Sequence, residues 1–159
     1  MAAKPVVRMA GEGDRRCFYG GGIHTWKVTA EESDGAFFLF EDELTRGKMT
    51  PWHCHPGTDE AIYVLEGEID VNVDGDERRV TAGDLWMAPR GVPHAFTVVS
   101  RIARLLSFQT PGGAQPFYWD ASEPATNGDA GLVDFDRVRS VAAATGATTV
   151  LGPPPFAAH

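Results

Sequence analysis

The sequence predicts an all-β fold: a sandwich or barrel of short antiparallel strands, completed by one short helix near the C-terminus. Between Ile23 and Gln109, short runs of alternating apolar and polar residues are separated by turn residues such as Asp34-Gly35 and Glu66-Gly67. Only one segment, after Thr110, has apolar residues at clear helical spacing. The 159 residues correspond to one ordinary domain.

Composition and charge exclude several classes of protein. A hydrophobic fraction of 43% is typical of a soluble globular chain. The net charge of −8 argues against a nucleic-acid partner, which usually requires a basic surface. We find no apolar signal-peptide region and no run near the ~20 residues of a membrane span, so we expect a cytoplasmic protein without a membrane partner. The two cysteines, Cys17 and Cys54, are expected to be reduced thiols.

Residues 1–21 are mixed and glycine-rich, and we predict an irregular lead-in with room for one edge strand. Residues 22–110 form the predicted barrel core. Within it, EIDVNVDGDERRV is typical of a β-hairpin with its turn at Gly75. Ile69, Val71 and Val73 then share one face of the first strand.

Residues 111–159 differ in composition from the core. Phe117, Tyr118 and Trp119 lie in a polar stretch that we predict to be an aromatic loop packing on the barrel or on a partner chain. Asp134 is a candidate N-cap for the helix FDRVRSVAAAT, which Gly146 would end. The proline-rich tail that follows is expected to extend along the barrel.

Four side chains form a candidate metal site. His53 and His55 are two residues apart, so on a strand both imidazoles lie on one face while Cys54 points away. Glu60 follows at the start of the next predicted strand, and His94 lies further along the chain. An isolated strand histidine is more often structural than a ligand. One metal ion explains all four residues together, and nitrogen and carboxylate donors suit a divalent transition metal.

The spacing of these residues carries a family resemblance. Residues 47–67 resemble the first cupin motif, G-x5-H-x-H-x4-E-x6-G, and residues 83–94 resemble the second, G-x5-P-x-G-x2-H. The asparagine that ends the second motif is replaced here by Val98. The resemblance implies a jelly-roll β-barrel that binds one divalent metal per chain (Fe, Mn, Ni, Cu, Co or Zn) through His53, His55, Glu60 and His94.

The chain also resembles small bacterial single-domain cupins described as quercetin-dioxygenase-like. That resemblance implies a dioxygenase that acts with O₂ on a small aromatic or enolic hydroxyl compound, with Glu60 as the residue that deprotonates the hydroxyl. Two alternatives stay open. One is a non-oxidative isomerase, cyclase or lyase that uses the metal as a Lewis acid. The other is a small-molecule-binding protein without turnover.

Several residues are candidates for the substrate pocket and for self-association. We predict that Phe40, Met49, Phe96 and Phe108 contact the substrate, since ligand pockets are mostly apolar. His24 either lines the barrel mouth or lies at the surface. We find no Arg or Lys cluster for a phosphate. We expect a homodimer in which Phe117, Tyr118 and Trp119 cover an exposed sheet face.

Overall fold

The computed structural model describes residues 2–126 and 132–157. Over these residues the chain forms two antiparallel sheets and two α-helices. The larger sheet has seven strands, in the order β11 (Ser122–Pro124), β1 (Arg15–Phe18), β2 (Ile23–Val28), β3 (Phe38–Thr45), β10 (Ile102–Thr110), β5 (Asp59–Glu66) and β8 (Leu85–Ala88).

The smaller sheet has five strands, in the order β12 (Thr149–Gly152), β4 (Trp52–Cys54), β9 (His94–Val98), β6 (Glu68–Val73) and β7 (Asp76–Thr81). Apolar side chains of both sheets meet in one core, which includes Ile62 and Leu105 from the larger sheet and Val71 from the smaller. Two antiparallel sheets packed in this way form a jelly roll. The predicted fold class is confirmed.

The predicted hairpin is β6–β7. Glu68 lies opposite Thr81 at its open end, and Asp74 and Gly75 form the turn with φ of 52° and 89°. Two successive positive φ values match the twist of a two-residue hairpin, which is why a glycine is favoured there. Ile69 and Val71 are buried as the alternation predicts.

The predicted C-terminal helix is α2 (Phe135–Thr145). The side chain of Asp134 accepts a hydrogen bond from the Arg137 amide at 3.1 Å. Gly146 ends the helix in the left-handed conformation with φ of 65°. Val138 is buried against the barrel. Neither helix within the described ranges has the length and apolar character that a membrane crossing requires.

The segment predicted as an aromatic loop is a helix. A 3₁₀ turn (Gly112–Ala114) leads into α1 (Gln115–Asp120). Pro116 stabilises the first turn, where its missing N–H is not needed. Phe117 and Tyr118 are buried, so the predicted packing on the barrel is present, but these two rings are not available to cover a partner.

Strands also lie outside the predicted core range. The lead-in contains a strand as expected, β1, but β1 is not at the sheet edge because β11 pairs along its outer side. β12 lies in the proline-rich tail and pairs with β4, with Val150 opposite His53. The tail therefore supports the strand that carries the first metal-ligand candidate. Residues 127–131 and the last two residues of the predicted 111–159 segment lie outside the described residues.

Gly67 of the first motif gives a testable requirement of the fold. It has φ of 86°, and an added Cβ would lie 2.3 Å from the carbonyl oxygen of Ile102. We expect Gly67→Ala to lower the free energy of unfolding by at least roughly 1–3 kcal/mol, because strain and overlap act together.

Alanine substitutions at two other glycines, measured by urea unfolding, distinguish backbone strain from steric overlap. Gly75 has φ of 89° but no atom within 4 Å of an added Cβ, and Gly57 has neither constraint. We expect the order of destabilisation Gly67→Ala, then Gly75→Ala, then Gly57→Ala. Equal effects in Gly67→Ala and Gly57→Ala would contradict this account.

Candidate metal centre

The four predicted ligands converge between the two sheets. His53 on β4 lies directly opposite His94 on β9, and His55 follows immediately after β4. Glu60 comes from the other sheet, on β5. The Gly91 amide donates to the His55 carbonyl at 2.9 Å, which holds the second motif against the first. Gly91 has φ of 77°, a conformation that favours glycine at this bend.

The donor atoms of this cluster are close together and shielded from water. One ligand atom from each of the four residues lies within 4.8 Å of the others, and all four residues are buried. Glu60 Oε2 is 3.1 Å from His55 Nε2 and 2.7 Å from His94 Nε2. The sequence and the structure therefore give the same candidate set.

The outer ring nitrogens decide which atoms can bind a cation. His53 Nδ1 is 2.7 Å from the Pro51 carbonyl, His55 Nδ1 is 3.2 Å from the Ala147 carbonyl, and His94 Nδ1 is 2.9 Å from the Val92 carbonyl. A carbonyl only accepts, so each Nδ1 donates its proton. Each Nε2 is then the ring nitrogen that can serve as a ligand atom, and those of His55 and His94 face Glu60.

Three imidazole nitrogens and a carboxylate that face one another can share one cation. These carbonyl contacts are the usual way in which a protein orients metal-binding histidines. The donor set of three nitrogens and one oxygen suits a borderline transition metal. The residues present therefore fit a single divalent metal ion.

Burial and mutual charge govern ionisation in the cluster. Burial, together with the neighbouring His94 and His55, lowers the pKa of His53 to about 3, so this ring is neutral at physiological pH. Burial opposes the charge of Glu60, but His55 and His94 lower its pKa well below the ordinary value. Glu60 is therefore a carboxylate, the form that binds a metal.

A cavity reaches this cluster from the molecular surface. Its lining includes His53, Glu60 and His94, and its walls are mainly apolar. Two of the predicted substrate-contacting residues, Phe40 and Phe96, line it. Met49 and Phe108, the other two, do not line the cavity. The backbone of Met49 forms an isolated β-bridge with Thr97. Phe108 packs against Phe37, with ring centroids 5.3 Å apart.

The cavity is narrow. Its volume is about 70 Å³, whereas an engineered apolar cavity that binds benzene measures roughly 150 Å³. An aromatic ligand therefore requires wall side chains to move outward. Phe135 and Val138 of α2 line the cavity, and Phe135 is 42% exposed, so this helix is the part of the wall with space to move into.

Tyr118 lines the cavity, whereas the sequence predicts for it only packing on the barrel or on a partner chain. Its hydroxyl oxygen lies 3.4 Å from His55 Nε2 and accepts a hydrogen bond from Gln109 Nε2 at 2.6 Å. Thr58 in turn donates to Gln109 Oε1 at 3.1 Å, which fixes the orientation of that amide. Burial and the charge of Glu60 raise the pKa of Tyr118 well above its usual value. The phenol is therefore a hydrogen-bond donor beside the cluster.

The polar residues that line the same cavity include His24, Asp42 and Lys48. His24 is 2% exposed, which excludes the surface position considered for it. Its ring is stacked between Phe18 and Phe40, at centroid distances of 4.8 Å and 4.2 Å. Burial lowers the pKa of Lys48 to about 8, against an opposing effect of Asp42. Lys48 is thus cationic at pH 7.

Comparisons with known proteins define the family. A model described as "Cupin domain" matches residues 40–108. A polyketide synthase protein, CurC, of Streptomyces cyaneus is 30% identical over 113 residues, which cover 69% of this chain and 73% of that protein. The chain belongs to the cupin family.

A second relative aligns with this chain over only part of its own length. Quercetin 2,3-dioxygenase of Bacillus subtilis (strain 168) is 29% identical over 122 residues, which cover 77% of this chain. The alignment spans only 36% of the length of that dioxygenase.

A solved structure supports the fold independently. An RmlC-like cupin from Shewanella frigidimarina superimposes with a TM-score of 0.61 at 22% identity, over 70% of this chain and 95% of that one. At this identity the similarity concerns the fold alone.

Proposed function

We propose that this protein is a metal-dependent dioxygenase that acts on a small aromatic or enolic hydroxyl compound. The observation that carries the proposal is the apolar cavity whose inner surface includes His53, Glu60 and His94. The likeness to a quercetin dioxygenase supports it. A bound divalent metal would supply Lewis acidity and free coordination positions for a substrate oxygen and for O₂.

The residues of the chain have distinct roles in this proposal. His53, His55, His94 and Glu60 hold the metal ion. Glu60, kept ionised by its neighbours, accepts the proton of the substrate hydroxyl. Tyr118 keeps its own proton and donates a hydrogen bond to the substrate oxygen. The aromatic walls exclude water from the reacting groups.

The direct test compares binding and turnover with and without O₂. Metal-loaded protein is mixed anaerobically with catechol, with a small enol and with a flavonol, while the absorption spectrum is recorded. We expect a shifted absorption band on binding, stronger for the smaller compounds because the cavity is narrow, and conversion only after O₂ is admitted. Conversion at the same rate without O₂ would contradict the proposal.

The second candidate is a non-oxidative metal enzyme, and one observation favours it. A relative of which this chain covers 73% by length is named as a polyketide synthase protein. Polyketides are rich in enolisable carbonyl groups, which a Lewis acid can activate without O₂. Turnover under anaerobic conditions would establish this alternative. Tight binding without turnover of any compound would indicate a binding protein.

We further propose that the protein is a homodimer. The outer face of β5 and β8 exposes four large apolar side chains: Tyr63, Leu65, Leu85 and Met87. Such a patch at the edge of a sheet is a candidate for self-association. Light scattering should give twice the chain mass of 17.2 kDa. The Leu85→Glu substitution should shift the measured mass toward that of one chain. A wild-type mass near 17.2 kDa at micromolar concentration would contradict the proposal.

A further inference from the structure

The cavity is lined by buried polar atoms that have no hydrogen-bond partner within residues 2–126 and 132–157. These atoms include His24 Nδ1 and Asp42 Oδ1. His24 Nε2 lies 3.1 Å from Asp42 Oδ1, but this contact lacks hydrogen-bond alignment. His24 is 2% exposed and Asp42 is 7% exposed. Buried polar atoms in proteins are nearly always satisfied, so a ligand or water is expected to complete them.

Lys48 adds unused donors on the same cavity wall. Its ammonium group donates to the Gly20 carbonyl, which uses one of three N–H groups. In the described part of the chain, no ion pair within 4.0 Å joins Lys48 to Asp42, although Asp42 raises the pKa of Lys48. A ligand group that contacts both residues must therefore be able both to accept from a cation and to donate to a carboxylate.

The opposite charges of Lys48 and Asp42 select the ligand chemistry. A carboxylate or phosphate would be attracted by Lys48 and repelled by Asp42. A hydroxyl group accepts from Lys48 and donates to Asp42 at once, so it satisfies both residues without adding charge.

The ring of Tyr118 contacts both His24, from the group formed with Asp42 and Lys48, and His55 of the metal cluster. The ring centroid of Tyr118 is 5.9 Å from that of His24 and 6.2 Å from that of His55. The two polar ends are therefore no further apart than the sum of these distances, with the aromatic side of the cavity between them. This separation suits a single-ring compound with a short side chain, provided that the cavity walls move outward, because the cavity volume is about 70 Å³.

We propose that His24, Asp42 and Lys48 bind a second hydroxyl group of the substrate, remote from the oxygen that lies at the metal cluster. This inference rests on the proposed function and makes it more specific. The substrate class becomes a small ring or enol compound that is hydroxylated at both ends.

Three matched catechols test the inference by calorimetry at pH 7 without O₂. Ethylcatechol, hydroxyethylcatechol and carboxymethylcatechol differ only in the end group of the side chain. We expect wild-type metal-loaded protein to bind the hydroxyethyl compound about tenfold more tightly than the ethyl compound. The carboxymethyl compound should bind no better than the ethyl compound.

Two substitutions test the roles of the individual residues. Asp42→Asn removes the negative charge but keeps the shape, so the carboxymethyl compound should become the tightest ligand of the three. Lys48→Met should abolish the preference for the hydroxyethyl compound. Lys4→Met and Asp120→Asn, at exposed positions, serve as matched controls and should keep the wild-type order. Thermal unfolding shows whether each variant is folded. If only one of the two variants folds, that variant alone still tests the inference.

The outcomes are distinguishable. Equal affinity of the wild-type protein for the hydroxyethyl and ethyl compounds, with a shifted metal-centred absorption band, would overturn this inference and leave the proposed function standing. It would mean that water alone satisfies these residues. Absence of binding and of any spectral change with all three compounds would overturn both the inference and the proposed aromatic substrate class.

Discussion

Replacing His94 by alanine is expected to lower the affinity for the metal by at least about 100-fold, because even residues that only support metal ligands contribute 10- to 100-fold. The same result is expected for His53→Ala. Both side chains present Nε2 to the cluster while Nδ1 contacts a backbone carbonyl. Elemental analysis of protein purified without an affinity tag measures the effect as ions per chain.

Cys54→Ser is the matched control for this experiment. Cys54 lies between His53 and His55 in sequence and is outside the metal cluster. The serine variant should keep the metal content of the wild-type protein. Added metal should also raise the unfolding temperature of the wild type and of this control, but not that of the histidine variants. Full stoichiometry in His53→Ala or His94→Ala would show that the ligand set is wrong.

Glu60→Gln has the second large expected effect. Glutamine keeps the size and one donor oxygen but cannot accept the proton of a substrate hydroxyl. We expect turnover of the accepted substrate to fall by about 10²–10⁴-fold, the usual contribution of a general base. Oxygen uptake measures the rate. Glu66→Gln, at an exposed position in the same strand, should keep wild-type turnover.

Metal titration separates the two roles of Glu60. If Glu60 is only a ligand, saturating metal restores turnover in Glu60→Gln. If it is also the base, turnover stays low at full occupancy. Restoration to the wild-type rate would contradict the catalytic role that we propose for this residue.

The metal cluster could be predicted from sequence because local geometry fixes most of it. His53 and His55 share a strand face through their spacing, and the second motif brings His94 opposite His53. The hairpin and α2 likewise follow from short-range signals, namely Gly75 at the turn and Asp134 at the N-cap. The His53–His55 pair, the hairpin and α2 depend on residues close to one another in the chain, whereas the motif spacing supplied His94.

The other end of the cavity could not be predicted, because its positions depend on long-range packing. His24, Thr25 and Trp26 are successive buried residues on β2, so alternation does not indicate which side chain faces the cavity. Lys48 turns inward because its ammonium group contacts the Gly20 carbonyl, 28 residues earlier. Nothing in the local pattern signals that contact.

Met49 and Phe108, two of the predicted substrate contacts, are absent from the lining of this cavity. On β10, Ser107 and Gln109 are buried inward, so Phe108 between them must point to the opposite face. Apolar character alone favoured Phe108 as a cavity residue, but strand register decides. The position of Tyr118 beside the metal cluster could not be predicted, because its contact with His55 spans 63 residues and requires α1 to fold over the sheet.

The most direct test of the metal centre is an anomalous-scattering crystal structure of untagged protein, collected at the absorption edge of the metal found by elemental analysis. We predict a single strong peak in each chain, roughly 2.0–2.2 Å from the three Nε2 atoms and from a Glu60 oxygen. An anomalous peak at another set of side chains, or metal-saturated crystals without a peak among His53, His55, Glu60 and His94, would contradict it.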